Sequence, residues 1–181
     1  IGTKNGLNKY VQQELKTFLH QPDNPASIPH NQIHHIEEDS IGTIWLSTAN
    51  GIATYNYQGD EFTLISRNIA YSSIKVEGGI LFGGDNFILR YDYRFKNIER
   101  IYLMPEESTK NPIAYRIQRL IPWKKNKVLV GTRQKGVYIY DTATHSFTPF
   151  ITTHRSLLMS LYATSNGQVY TSHYGSGLFC Y

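Results

Sequence analysis

The chain has 181 residues and a formal net charge of +4, with 40% hydrophobic and 18% charged residues, and its sequence pI is near 9.1. That balance excludes a disordered chain, and the single cysteine, Cys180, excludes an internal disulfide and any CxxC metal or redox motif. Apolar runs fall short of the roughly 20 residues of a membrane helix, and the basic residues are scattered, so neither a membrane span nor a nucleic-acid stripe is expected. In chain order, "IGTKNGLNKY" reads as strand, turn and strand. Because it begins as if in mid-strand, both ends are expected to be cuts in a longer protein. "YVQQELKTFL", Tyr10 to Leu19, reads equally well as a helix or as a turn followed by a strand from Leu15. "HQPDNPASIPHN", His20 to Asn31, is a proline-bearing link, either a stiff connector or part of a recognition surface.

From Asn31 the chain repeats itself. "QIHHIEED" leads through a polar turn to "TIWLST", a glycine turn to "GIATYN", and then "FTLIS" from Phe62. A shorter copy follows as "IKVEGGILFGG" from Ile74, "FGGDNFILRYD" from Phe82 and "IERIYL" from Ile98. The next copy carries "KKNK" at Lys124 to Lys127, read as a hairpin turn, then "VGTRQKGVYIYD" from Val130 and "FTPFI" from Phe147. The last ends on "TSHYGSGLFCY" from Thr171. An offset of 84 lands Ile33, Ile36, Ile44 and Trp45 on Ile117, Leu120, Val128 and Leu129, and an offset of 125 lands them on Leu158, Leu161, Val169 and Tyr170. Four short strands per copy, separated by turn residues, predict antiparallel meanders stacked as β-propeller blades. The expected fold is all-β, a partial propeller of four to five blades. The blades are expected at 1–27 (partial), 28–68, 69–112, 113–154 and 155–181 (partial). Trp45 is expected to pack between blades, since its column also holds Leu129 and Tyr170.

The second copy, "SIPHNQIHHIEEDSIGTIWLSTANGIATYN", resembles the two-component regulator propeller repeat at Ser27, Pro29, Asn31, Ile33, Glu38, Asp39, Gly42, Trp45, Thr48, Gly51 and Tyr55. The other copies keep parts of it: Gly2-Thr3, Gly131-Thr132, Tyr91-Asp92 and Tyr140-Asp141. The resemblance implies the periplasmic, extracytoplasmic sensor region of a membrane-bound hybrid histidine kinase, of the kind Bacteroides-type bacteria use to detect glycans. It implies signal transduction and carbohydrate sensing, with the membrane reached only through segments outside this chain.

The residues point to no catalysis. "YGSGLF" lacks the order and the strand-to-helix context of a nucleophile elbow, and "GGILFGGDN" lacks the Lys-Ser/Thr of a phosphate loop. "HNQIHHIEED" crowds His30, His34, His35, Glu37 and Asp39, yet Glu38 and Asp39 belong to the repeat's turn, so no metal site and no cofactor is expected. What remains is binding. In a meander, the turn between the second and third strands lies at the same end as the link to the next blade. Those loops form a rim carrying Lys4, Asn5, Ala49, Asn86 and Gln134, and the candidate ligand-binding residues Asn31, Asn50, Tyr71, Asp85, Tyr115, Arg116, Arg133, His173 and Tyr174. Aromatic faces beside amide and guanidinium donors suit an oligosaccharide. The competing expectation is a scaffold propeller whose rim binds a protein partner or a second sensor subunit, with a homodimer formed through exposed blade edges or through sensor subunits.

Overall fold

A computed structural model of the chain describes residues 1–104, 110–153 and 156–181. The blade boundary expected between 154 and 155 lies outside the described residues. The described residues form eighteen strands. They are β1 (Gly2–Thr3), β2 (Gly6–Val11), β3 (Glu14–Phe18), β4 (Ile33–Glu38), β5 (Ile44–Thr48), β6 (Gly51–Asn56), β7 (Glu61–Ser66), β8 (Ser72–Val76) and β9 (Gly79–Gly83). There follow β10 (Phe87–Asp92), β11 (Asn97–Tyr102), β12 (Ile117–Lys124), β13 (Lys127–Thr132), β14 (Val137–Asp141), β15 (Ser146–Ile151), β16 (Leu158–Ala163), β17 (Val169–His173) and β18 (Gly177–Cys180). Consecutive strands pair into five meanders: β1–β3, β4–β7, β8–β11, β12–β15 and β16–β18. The fold is all-β and that of a partial propeller. The chain clusters into two compact units, residues 1–75 and 76–181, each described by itself.

The stretch left open between helix and hairpin is a hairpin. β2 runs to Val11, Gln12 and Gln13 turn with φ of 52° and 69°, and β3 returns so that Leu7 faces Phe18. Two successive positive φ values give the twist that matches paired strands. The hairpin wins because it delivers Phe18 to the core, edge-on to Tyr55 at 5.7 Å and to Phe62 at 5.3 Å.

In the first unit Leu7, Phe18, Ile28, Leu46, Tyr55 and Phe62 form one buried cluster, with Ile33, Ile36 and Ile44 packed against it. It joins two meanders and the link between them. Outside that cluster Asp60 gathers Lys9 at 3.0 Å, Lys16 at 2.6 Å and the Tyr55 hydroxyl, so the turn after β6 is tied to β2 and β3. The Lys16, Tyr55 and Lys9 hydrogen bonds hold the Asp60 carboxyl well below the usual range. In the second unit Leu129, Val137 and Ile151 pack against Leu158, Leu161 and Val169 of the next meander. The close approach depends on Gly131, where an added Cβ would lie 2.5 Å from Leu158 Cδ2.

The columns found by offset have one local structure. Ile33 pairs with Thr48, Ile117 with Thr132 and Leu158 with His173, and in all three the register slips immediately afterwards. A bulge at the same place in three copies re-aims the inner strand in the same way each time. The threonines of the Gly-Thr phrase close the following turn. Thr3, Thr48 and Thr132 donate to the carbonyls of Gly6, Gly51 and Gly136 at 2.7–2.9 Å. The same hydroxyls accept from Asn5, Asn50 and Lys135 N–H groups. Asp39 does comparable work in the first hairpin of its repeat. Buried at 4% exposure, it accepts from Ile41 N at 3.0 Å, Thr43 N at 2.8 Å and Trp45 Nε1 at 2.9 Å. Trp45 is 3% exposed, as expected of a packing residue.

Candidate functional site

Strand direction puts the loops 3–6, 19–32, 49–50 and 67–71 at one end of the first unit's meanders. It puts 84–86, 103–104, 110–116, 133–136, 152–153, 156–157 and 174–176 at the corresponding end in the second. Backbone bonds join neighbouring loops. In the first unit Gly6 N donates to Asn31 O at 2.8 Å and Ala49 N to Gln32 O at 3.1 Å. In the second, Ile117 N reaches Gly84 O at 2.9 Å, Arg133 N reaches Arg116 O at 2.8 Å, Leu158 N reaches Arg133 O at 2.9 Å and Tyr174 N reaches Leu157 O at 2.8 Å. Each loop is held by its neighbour, so side chains on it start from fixed backbone positions.

The nine candidate residues take different places. In the first unit Asn31 Oδ1 accepts from His20 N at 2.6 Å, Asn50 is exposed and its Nδ2 donates to Pro29 O at 3.4 Å, and Tyr71 stacks on His34 with centroids 4.9 Å apart. In the second, Asp85 and Arg116 form a forked pair, Nε to Oδ1 at 2.7 Å and Nη2 to Oδ2 at 3.4 Å. Tyr115 lies beneath Lys135, whose Nζ is 5.3 Å from the ring centroid. Arg133 is bonded through its backbone, and its side chain has no hydrogen bond or ion pair among the described residues. Tyr174 is 73% exposed. His173 is turned inward: it is 5% exposed and its ring contacts Thr171 Oγ1 at 3.0 Å and Ser156 O at 3.3 Å. Asn86, buried with φ of 65°, clips the start of its link by pairing with Met104 through both amide atoms. Tyr115, Arg116, Arg133 and Lys135 thus share one part of the second unit's rim, while Asn31 and Asn50 serve to hold the first unit's long link.

That link is a stiff, internally bonded loop. Gln21 N donates to Ser27 Oγ, Asn24 Nδ2 to Gln21 Oε1, Ala26 N to Asn24 Oδ1, and Phe62 N to Ala26 O. Two clefts flank it. One of about 400 Å³ is lined by Lys16, Phe18, Asn24, Ile28, Asp60 and Phe62. The other, about 310 Å³, opens between His20, Asp23, Pro25, Asn50, Leu64 and Arg67. Sequence reasoning missed Arg67, Asp23 and Lys135. The first two line one cleft only because the link folds back on β7. Lys135 carried a readable signal, because it precedes the repeat's turn glycine.

The histidine-rich stretch is structural. His34 Nδ1 meets Ala70 O at 2.8 Å, His35 Nδ1 meets Ser73 Oγ at 2.8 Å, and His30 Nδ1 accepts from Gln32 N at 2.9 Å. Burial pushes the Glu37 carboxyl up, against a backbone hydrogen bond from Lys75 and that lysine's charge. Among the described residues no group of three or more His, Cys, Asp or Glu side chains is placed to hold a metal ion. Among the described residues no helix is long and apolar enough to cross a membrane.

Comparison with known proteins starts from the repeat with the Asp39–Trp45 staple. Residues 27–50 match the family model described as the two component regulator propeller. That is the repeat the sequence resembles. No curated protein matches the chain. Among solved structures, it is similar to an extracellular domain assigned to the hybrid two component system BT4673 of B. thetaiotaomicron. The TM-score is 0.80 at 18% identity, covering 99% of this chain and 25% of the other. The extracellular domain assigned to the hybrid two component system BT3049 of the same organism gives 0.75 at 16%, covering 98% and 24%. A catalytically inactive virginiamycin B lyase from Staphylococcus aureus gives 0.70 at 16%, covering 98% and 63%. The two-component regulator propeller repeat therefore sits in a chain with the fold of those extracellular domains, and the chain spans about a quarter of the length of the two.

Proposed function

We propose that this chain is a non-catalytic part of a periplasmic sensor propeller. On this reading it contributes to recognition of an extracellular oligosaccharide and passes the binding event to a histidine kinase. The observation that carries the reading is the second unit's rim, where Tyr115, Arg116, Arg133 and Tyr174 stand on loops joined by successive backbone bonds. Rings offer faces to sugar C–H groups, and guanidinium groups offer paired donors to hydroxyls. The two-component regulator propeller repeat at 27–50 supports the sensor part of the reading. Loops tied to one another respond together, so a ligand bridging two of them biases more than one meander.

A thermal-shift screen of the chain against an oligosaccharide panel tests this. A ligand that binds only the folded state, present at a hundredfold its Kd, adds about 2.7 kcal/mol. For a chain of this size that is a rise of about 5–10 °C in Tm. At least one oligosaccharide is expected to give such a rise. A panel without any shift, together with a stable dimer in solution, would reject the saccharide reading in favour of a protein-binding scaffold.

A further inference from the structure

The described residues of the rim of 76–181 are unevenly charged. Its described loop residues, 84–86, 103–104, 110–116, 133–136, 152–153, 156–157 and 174–176, contain the cations Lys110, Arg116, Arg133 and Lys135 and a single carboxylate, Asp85. Asp85 is engaged by the Arg116 fork at 2.7 and 3.4 Å, which uses one cation and leaves the others in excess. Arg133 lies one backbone hydrogen bond from Arg116, at 2.8 Å, and its guanidinium has no partner among the described residues. Lys135 holds its ammonium over Tyr115 at 5.3 Å, so a positive charge and an aromatic face are presented together. Tyr174, 73% exposed, supplies a second ring two backbone hydrogen bonds away, through Leu157 and Leu158.

We propose that this rim selects acidic saccharides, those bearing a uronate carboxylate or a sulfate, a specificity that rests on the saccharide reading above. The fork of Arg133 fits the paired oxygens of either group, which a neutral hydroxyl does not offer. Lys135 adds a point charge beside the ring that stacks on the sugar. Both cations are partly exposed, so their contribution is screened by salt and registers as selectivity more than as raw affinity. The ring faces account for a sugar in place of a bare anion: phosphate or an inorganic polyanion would use the cations and leave Tyr115 and Tyr174 unused.

The test is titration calorimetry of the chain with an oligogalacturonate and its carboxyl-reduced neutral counterpart, at low and at physiological ionic strength. A parallel pair uses a sulfated oligosaccharide and its desulfated parent. An acidic ligand is expected to bind at least tenfold tighter than its neutral parent, with the advantage shrinking as salt is added. The arm that shows the advantage names the acidic group. The double variant Arg133→Gln with Lys135→Gln, its fold checked by circular dichroism, is expected to lose the acidic advantage, so that the acidic and neutral members of a pair bind alike. Equal binding of the neutral and acidic members of both pairs would overturn the selectivity and leave the saccharide reading standing. Failure of all four sugars to bind would overturn the acidic selectivity, and the saccharide reading would then stand or fall by the thermal-shift panel. Inorganic polyphosphate competing as well as the acidic sugar would overturn the saccharide component.

Discussion

Replacing Asp39 by alanine is expected to cost about 2–4 kcal/mol, because three donors lose their acceptor in a buried place. The carboxylate takes hydrogen bonds from Ile41 N, Thr43 N and Trp45 Nε1, and Trp45 is 3% exposed, so water does not replace them cheaply. Burial alone would raise the Asp39 carboxyl. The bonds from Trp45, Thr43 and Ile41 outweigh it, and the group sits below the usual carboxylate range. A carboxylate depressed in the folded state stabilises above its unfolded value, near 4, and that contribution fades as pH falls through the folded value. Urea denaturation followed by tryptophan fluorescence should therefore show a large gap between the parent and Asp39→Ala at pH 7. The gap should narrow steadily in acid. Asp39→Asn, which keeps acceptor capacity without the charge, is expected to lose about half as much.

Gly136→Ala is expected to be as damaging, for a different reason. Gly136 has φ of 82°, and an added Cβ would lie 1.9 Å from the carbonyl oxygen of Ile151 and 3.1 Å from Thr152 Cα. The obstacle is backbone, so no rotamer change relieves it, and the pairing of Val137 with Ile151 must open. A cost of about 3 kcal/mol or more follows, of which the positive φ accounts for about 1 kcal/mol. Gly177 occupies the same column with φ of 88°, yet nothing lies within 4 Å of its added Cβ. Gly177→Ala is therefore expected to cost about 1 kcal/mol, the conformational part alone. Equal losses for the two variants would mean that the clash with β15 is relieved at little cost.

Much of the fold was legible because it recurs. Thr48 and Thr132 stand 84 residues apart, and each closes its turn through the same pair of hydrogen bonds. The shared column was a shared structure. The bulges after Ile33, Ile117 and Leu158 were not legible, since apolar spacing reports which residues are buried and not where a ladder slips. Gln12 and Gln13 hid their turn because neither is a residue type that favours positive φ. The candidate site was legible as a set of loops and less so as side chains. Arg133 and Tyr174 could be placed on a rim from strand order alone. His173 stands in the column of Thr48 and Thr132, and its burial against Thr171 follows that column, not the polarity of its loop. The Lys135–Tyr115 and His34–Tyr71 contacts join residues from different parts of the chain, which no local pattern encodes.

The central claim is that the rim is the recognition face, and hydrogen–deuterium exchange with and without a stabilising oligosaccharide tests it most directly. Slowed exchange is expected at Arg116, Arg133, Gln134 and Tyr174, whose amides sit on the rim loops. Exchange is expected to stay unchanged at the opposite-end turns, Glu77–Gly78, Lys125–Asn126 and Asn166–Gly167. Protection confined to those opposite turns, with the rim unaffected, would contradict the account.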